Sequence, residues 1–224
     1  MLGYALVCGL VPLAHAGRPL VTDDAGIVAD RACHIEAWWQ DEPGGRAFWA
    51  LPACNPGGNL EITLGGGRFE GGDGATSDSQ VLQFKTLFQP LTDEGWGRGL
   101  ALGRIQHVDD GEASRDAYAY LVASRALAGG DALLHLNLGW LRRGATDRHA
   151  LTWGAALERR VSERLWLFAE SFGENRGRAH YQMGARLWLA LERVQIDATW
   201  GDQFGGGARV ATLGLVWVSP PFLF

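Results

Sequence analysis

The stretch Asp131–Arg143, DALLHLNLGWLRR, carries the clearest structural pattern in the chain. Its apolar residues occupy every second position: Ala132, Leu134, Leu136, Leu138 and Trp140. Polar or small residues lie between them, among them His135 and Asn137. A period of two places the apolar side chains on one face of an extended strand, whereas a helix would scatter them around its surface. The stretch therefore predicts a β-strand with one apolar and one polar face.

The same alternation recurs along the chain, interrupted by turn residues such as Asn55-Pro56-Gly57-Gly58. The predicted strands are 33–41, 46–54, 59–70, 78–89, 96–108, 115–127, 131–143, 148–161, 163–174, 177–190, 192–203 and 208–219. Strands of this spacing with short breaks pair as neighbours in sequence order. The sequence therefore predicts an all-β fold, an antiparallel up-and-down β-barrel of about twelve strands with short loops.

The composition excludes several classes of protein. Of 224 residues, 47% are hydrophobic, 32 are glycine and 10 are tryptophan, and the formal net charge is −5. Charges of both signs are spread along the chain without a basic block, so no nucleic-acid partner is expected. After residue 17, charged residues interrupt every apolar run, so no segment reaches the ~20 apolar residues of a spanning helix.

Two architectures remain open, because a soluble all-β protein buries the apolar face whereas a transmembrane barrel turns it towards lipid. The even strand count, the strand lengths of ~9–13 residues and the bulky charges on the polar face favour the transmembrane barrel. The polar-face residues predicted to line the lumen are Glu36, Glu61, Lys85, Arg104, Glu158, Arg160, Glu170, Arg186 and Asp197. The tryptophans predicted to form girdles at the membrane interfaces are Trp39, Trp96, Trp140, Trp153, Trp166, Trp188, Trp200 and Trp217.

The first residues resemble an export signal. Leu2–Ala14 is apolar, and Ala14-His15-Ala16 is an A-x-A cleavage site, although a buried N-terminal strand or helix is the alternative. The predicted organisation is a signal peptide at 1–16, a periplasmic N-terminal segment at 17–32 and an outer-membrane barrel at 33–224. The predicted location is the bacterial outer membrane.

Two cysteines remain after removal of the signal peptide, and an even count in an exported chain suggests a disulfide. Cys33 opens the first predicted strand and Cys54 closes the second, so both lie at the same end of one hairpin. The sequence therefore predicts a Cys33–Cys54 disulfide.

The connections between strands suggest an orientation. If the N-terminus is periplasmic, the very short connections Ser162-Glu163 and Leu191-Glu192 face the periplasm. The connections on the other side, at 71–77, 109–114 and 203–207, are longer, which is typical of outer loops. Residues 17–32 are too polar for a strand, and we hypothesise that they enter the lumen from the periplasmic end as a small plug.

Several short motifs resemble those of a family of proteobacterial outer-membrane proteins related to the inferred transporters of the MetA pathway of phenol degradation. They are Arg18–Ala25 (RPLVTDDA), Glu36, Val81–Phe88 around Lys85, Leu167–Glu170 and the terminal Phe224. The resemblance implies an outer-membrane barrel with a transport activity and no defined substrate. The Pro220-Pro221 ending departs from the family pattern.

No recognised catalytic motif is present, and the histidines lack the spacing of metal ligands. Ser124, His135 and Asn137 could meet on adjacent strands, as a lipid-modifying enzyme would require, but a chance grouping of lumenal polar residues is the favoured interpretation. We therefore predict no catalytic residue, no metal site and no cofactor.

The function expected from these observations is a monomeric, narrow passive channel for small solutes, with aromatic or amphipathic solutes as candidates. The alternatives are a closed structural barrel, a lipid-modifying membrane enzyme and a soluble exported β protein. The expected partners are outer-membrane lipids, the barrel-assembly machinery during biogenesis and an unidentified small-molecule solute.

Overall fold

The structure, a computed structural model, describes residues 18–93, 95–109 and 112–222. In this part of the chain twelve antiparallel strands pair in sequence order, and β1 also pairs with β12, which closes the barrel. The strands are β1 Cys33–Glu42, β2 Gly45–Cys54, β3 Glu61–Gly71, β4 Thr76–Gln89, β5 Trp96–Asp109, β6 Glu112–Leu127, β7 Ala132–Arg143, β8 Arg148–Arg160, β9 Leu165–Glu174, β10 His180–Ala190, β11 Val194–Gln203 and β12 Val210–Val218. The prediction of a closed all-β barrel is confirmed.

One 3-10 turn, Ala128–Gly130, connects β6 to β7. Across the described ranges, no helix has both the length and the apolar character needed to cross a membrane. The predicted signal peptide at residues 1–16 and the terminal Phe224 lie outside the described residues.

The alternating pattern places apolar side chains on the outer surface and polar side chains in the interior. Leu138 and Leu213 are each 61% exposed, whereas Arg186 is 2% exposed and Gln195 is fully buried. A soluble protein shows the reverse distribution. The outer surface is therefore the kind that lipid surrounds in transmembrane barrels.

The barrel has two distinguishable ends. We call the end at which β1 begins and β12 finishes the terminal end, and the opposite end the loop end. Cys33 and Cys54 pair directly across β1 and β2 at the terminal end, and they form a disulfide there. The predicted disulfide is confirmed.

The predicted contrast in loop length is wrong. The connections at the loop end are 43–44, 72–75, 110–111, 144–147, 175–179 and 204–209. Those at the terminal end are 55–60, 90–95, 128–131, 161–164 and 191–193. Several residues expected in outer loops instead extend the ladders, since Ser77 pairs with Asp109 and Asp109 pairs with Glu112.

Candidate functional site

The chain that precedes β1 lies inside the barrel; we call its residues 18–32 the inner segment. The backbone N–H groups of Val21 and Thr22 donate to the two carboxylate oxygens of Glu170 at 2.8 and 2.7 Å. The N–H of Val28 donates to Glu61 at 2.7 Å. Buried amides outside a regular ladder need acceptors, and these inward-facing carboxylates supply them. The interior therefore holds the inner segment by its backbone.

Arg18 anchors the start of the inner segment. Its guanidinium donates to Asp197 at 2.7 Å and to the Thr212 hydroxyl at 3.0 Å, and it lies 4.5 Å from the centre of the Trp38 ring. Its backbone N–H donates to Glu36 at 3.2 Å. A buried charge needs this density of partners, since leaving it unpaired in the interior is costly.

Asp23 is bound by side chains from several strands. Its carboxylate accepts the Lys85 ammonium at 2.7 Å and the Tyr120 hydroxyl at 2.8 Å, and the Lys85 ammonium also lies 3.5 Å from Asp24. The Asn137 amide both accepts the Asp23 N–H and donates to the Asp23 carbonyl, each at 2.7 Å. Strands β4, β6 and β7 are therefore tied to the same residue of the inner segment.

Seven of the nine predicted lumen residues face the interior. They are Glu36, Glu61, Lys85, Glu158, Glu170, Arg186 and Asp197. Within the described network around the inner segment, carboxylates outnumber the cations Arg18, Lys85 and Arg186. The interior potential is therefore negative, which disfavours anionic solutes.

Arg104 was predicted to line the lumen, and this prediction is wrong. Arg104 is exposed on the outer face, because the inward positions of β5 carry small residues such as Gly97 and Gly103. A Cβ atom at Gly97 would lie 2.9 Å from the Ala25 methyl group, and one at Gly103 would collide with the Tyr118 ring. Ala25 and the Tyr118 ring thus fill the interior space beside β5, so small residues occupy its inward positions and Arg104 occupies an outward one.

Arg160 has the inward phase but lies at the rim of the terminal end, where its guanidinium binds Asp131 in the β6–β7 turn. The hydrogen bond and the charge of Arg160 hold the pKa of the Asp131 carboxyl below its usual value. Since both side chains are about half exposed, the pair is a surface contact of modest strength.

Trp166 and Trp188 were predicted as girdle residues, and this prediction is wrong. They are 6% and 7% exposed, and they pack inside the terminal end with Ala126 and Leu133. The Arg186 guanidinium lies 5.2 Å from the centre of the Trp166 ring. Both tryptophans occupy inward positions of their strands. The prediction relied on their position near a strand end and did not take this phase into account.

The remaining predicted girdle tryptophans have the outward phase. Those that are 38–45% exposed are Trp39, Trp140, Trp153, Trp200 and Trp217. Trp96 is partly exposed and has the Arg125 guanidinium 5.6 Å from its ring centre. An outward phase is one condition for interfacial anchoring, so a membrane girdle of these six tryptophans stays a prediction.

Ser124 and His135 meet on β6 and β7, with the Ser124 hydroxyl 2.7 Å from His135 Nδ1. His135 Nε2 lies 3.4 Å from Glu158. Ser124 is fully buried, however, and its oxygen accepts the Ala25 N–H at 2.7 Å, so a substrate would have to displace the inner segment to reach it. Asn137 binds Asp23 instead of joining this group. In this arrangement the serine anchors the inner segment.

Sequence reasoning did not single out Tyr120, Gln182 and Gln195. Gln182 donates to the Pro19 carbonyl at 3.1 Å, and Gln195 donates to the Arg18 carbonyl at 3.3 Å. The alternation of their strands could have shown that these side chains point inwards. It could not have shown that they bind the inner segment, because that segment has no periodicity.

Space remains beside the inner segment. A cavity of about 450 Å³ is lined by His34 and Glu61 near the terminal end and by His180 and Val210 at the loop end. A second cavity of about 520 Å³ lies towards the loop end, where Arg176 is among its lining residues.

Solved structures share this fold. They include the KdgM porin (8% identity, 82% of this chain and 98% of that one, TM-score 0.67) and the COG4313 outer membrane channel from Pseudomonas putida F1 (10%, 88% and 98%, 0.56). Another is the outer membrane phospholipase A from Escherichia coli (10%, 93% and 95%, 0.51). No curated protein sequence matches the chain. A family model matches residues 6–216, and the chain therefore belongs to the family described as Uncharacterised conserved protein UCP029691.

Proposed function

We propose that the chain is an outer-membrane channel for the passive passage of small solutes, in which the inner segment narrows the passage. The observation that carries the proposal is the cavity of about 450 Å³, whose lining reaches both ends of the barrel. Barrels that serve only as structure fill their interior with side chains. Polar groups line this space, as passage of an aqueous solute requires.

The outer-membrane location is supported by the apolar outer surface and by the fold shared with outer-membrane proteins. With an N-terminus that starts in the periplasm, the terminal end faces the periplasm and the loop end faces the exterior. One closed barrel encloses the whole passage, so a monomer suffices. Lipids would contact the outer surface, and the barrel-assembly machinery would insert the chain.

Aromatic or amphipathic solutes are the proposed cargo. The resemblance of several short motifs to those of the inferred MetA-pathway transporters supports this class. The excess of carboxylates around the inner segment supports uncharged or cationic solutes over anions.

The test is ion conductance of the purified full chain in planar bilayers, together with solute flux into liposomes. The full chain should conduct weakly, and a variant lacking residues 18–30 should conduct more strongly because the narrowing element is gone. The absence of both ion conductance and solute flux in the full chain and in the shortened variant would refute the proposal.

A closed structural barrel is the second candidate, favoured by the dense hydrogen bonding of the inner segment to the wall. It predicts that neither ions nor solutes pass through the full chain. A lipid-modifying activity through Ser124 would show as hydrolysis that Ser124→Ala abolishes, and the burial of this residue disfavours that outcome.

A further inference from the structure

A cavity of about 300 Å³ lies in the interior against the six strands β1 to β6, next to the cavity of about 450 Å³. All its lining residues have the inward phase of their strands, and none belongs to the inner segment. Its size is at the lower end of the ~300–1,000 Å³ range of pockets that bind small molecules. Two tryptophans and a tyrosine line it, which gives it a chemistry unlike that of the charged network.

Trp38 and Trp49 form one wall of this cavity. They are directly opposite each other in the β1–β2 register, and their rings are nearly parallel at 11° with centres 5.7 Å apart. Trp49 lies flat against β3 because the position beneath it is Gly67, where a Cβ atom would collide with the indole ring. The sequence therefore keeps a flat aromatic surface in place instead of a side chain that projects across the lumen.

Tyr118 lines the same cavity from β6. Its ring stacks on that of Tyr120 at 18°, with centres 6.0 Å apart, and it lies over Gly103. The Tyr118 hydroxyl donates to the Gln83 carbonyl oxygen at 2.9 Å, while the single proton of the Tyr120 hydroxyl is directed to Asp23 at 2.8 Å. Because the Gln83 oxygen accepts from Tyr118, the Gln83 amide nitrogen is the donor that this side chain can offer to a ligand.

The rest of the lining is apolar or uncharged, and it includes Val81 and Ile105. The larger cavity adjoins this one and shares five lining residues with it: Trp38, Gln40, Leu51, Thr63 and Gln83. Charged groups of both signs line the larger cavity, with the carboxylates Asp23, Glu36 and Glu61 in excess of the cations Arg18 and Lys85. A ligand in the aromatic cavity therefore meets a stacking surface, an amide donor and a nearby excess of negative charge.

We propose that this cavity is a binding site for a planar, uncharged aromatic ring that carries a hydrogen-bond acceptor. The ring stacks on this wall at Trp49, since the Arg18 guanidinium already lies 4.5 Å from the centre of the Trp38 ring. Its acceptor binds the Gln83 amide. This assignment rests on the proposed channel function, because the ligand reaches the lumen through the channel. An anionic analogue of the same shape binds more weakly, because the carboxylates of the adjoining cavity, Asp23, Glu36 and Glu61, outnumber its cations Arg18 and Lys85.

The purified full-length chain in detergent micelles is the material for the test, and nicotinamide is the probe. Binding is measured by isothermal titration calorimetry or saturation-transfer NMR, neither of which requires conductance. Nicotinate has the same ring with a carboxylate, and it tests the charge preference. Trp49→Leu removes half of the stacking wall, and Trp200→Leu makes the same change on the outer face, where the residue is 45% exposed.

We expect saturable nicotinamide binding that weakens about tenfold in Trp49→Leu and about tenfold for nicotinate, with no change in Trp200→Leu. Lack of saturable binding, equal binding of nicotinate, or an equal loss in Trp200→Leu overturns the assignment. A heat-modifiable gel shift reports the folding of each variant. If Trp49→Leu does not fold, Gln83→Leu keeps the stacking wall and should weaken binding at least threefold, and unchanged binding overturns the assignment.

The two proposals fail in different ways. Nicotinamide binding without any ion conductance refutes the channel and leaves the site in place. Conductance and solute flux without saturable binding refute the site and leave the channel in place.

Discussion

Glu170 is the wall residue whose replacement should loosen the inner segment most selectively. One of its oxygens accepts the Val21 N–H and the Gln182 amide, and the other accepts the Thr22 N–H at 2.7 Å. Glu170→Gln keeps the shape of the side chain but replaces one oxygen with an NH₂ group, which cannot accept. With the retained oxygen on Val21, the Thr22 N–H loses its acceptor in a site where Thr22 is 1% exposed.

The size of the effect follows from the two bonds. A hydrogen bond to a charged acceptor contributes about 1.5–3 kcal/mol, and one between neutral groups contributes about 0.5–1.5 kcal/mol. Losing the Thr22 bond and weakening the Val21 bond should therefore cost about 2–4 kcal/mol of docking free energy. This corresponds to roughly 30-fold to several hundred-fold more frequent opening of the segment.

Hydrogen–deuterium exchange followed by mass spectrometry measures that opening on a peptide covering residues 18–28. The peptide should exchange faster in Glu170→Gln by at least ~30-fold, while peptides from the strands keep their wild-type rates. Glu174→Gln is the matched control, since Glu174 lies on the same strand and binds Arg143 instead of the segment. Equal exchange in Glu170→Gln and the wild type would refute the reasoning.

Three further predictions concern stability. Arg186→Met removes the buried ion pair with Glu158 and should lower the free energy of unfolding in urea by about 3–5 kcal/mol. Arg160→Met removes an ion pair at the rim and should lower the same free energy by about 1 kcal/mol or less. Equal losses in the two variants would contradict this prediction. Cys33→Ser removes the disulfide that closes the first hairpin and should cost about 3 kcal/mol, an effect that reducing the wild type should reproduce. The pKa of Asp131 is lowered on folding, so the contribution of this carboxylate to stability is present at neutral pH and is lost as the pH falls below the ordinary aspartate value of 3.8. The difference in stability between the wild type and Asp131→Asn should therefore shrink in acid. A difference that does not depend on pH would contradict this prediction.

The alternation of apolar and polar residues predicts the strands because it reflects a local geometric property. Successive side chains of a strand point to opposite faces, so Leu134, Leu136 and Leu138 reveal their strand and its apolar face without knowledge of the partners. The Cys33–Cys54 disulfide was predictable for the same reason, since strand length and one short turn determine which residues of a hairpin meet.

The alternation of apolar and polar residues was less informative where side chains from other parts of the chain determine which residues fit inside the barrel. Arg104 lies outside because Tyr118 and the inner segment fill the space beside Gly97 and Gly103. Trp188 lies inside because its phase, and not its distance from the strand end, determines the face it occupies. For Arg104 the missing information was which neighbours fill the interior, whereas the phase of Trp188 was readable from the alternation and was outweighed by its position near the strand end.

The sequence determined the all-β class, the twelve strands and the polarity of the two surfaces, because these depend on contacts between neighbours in the chain. Only the tertiary structure decided what occupies the lumen. Residues 18–32 have no periodicity, and their amides find acceptors on strands as distant in sequence as Glu170. The aromatic cavity likewise depends on the curvature of the sheet, because the β1–β2 hairpin supplies Trp38 and Trp49 while β6, four strands further along the sheet, supplies Tyr118. Such contacts depend on the curvature and register of the whole barrel, which no local pattern encodes.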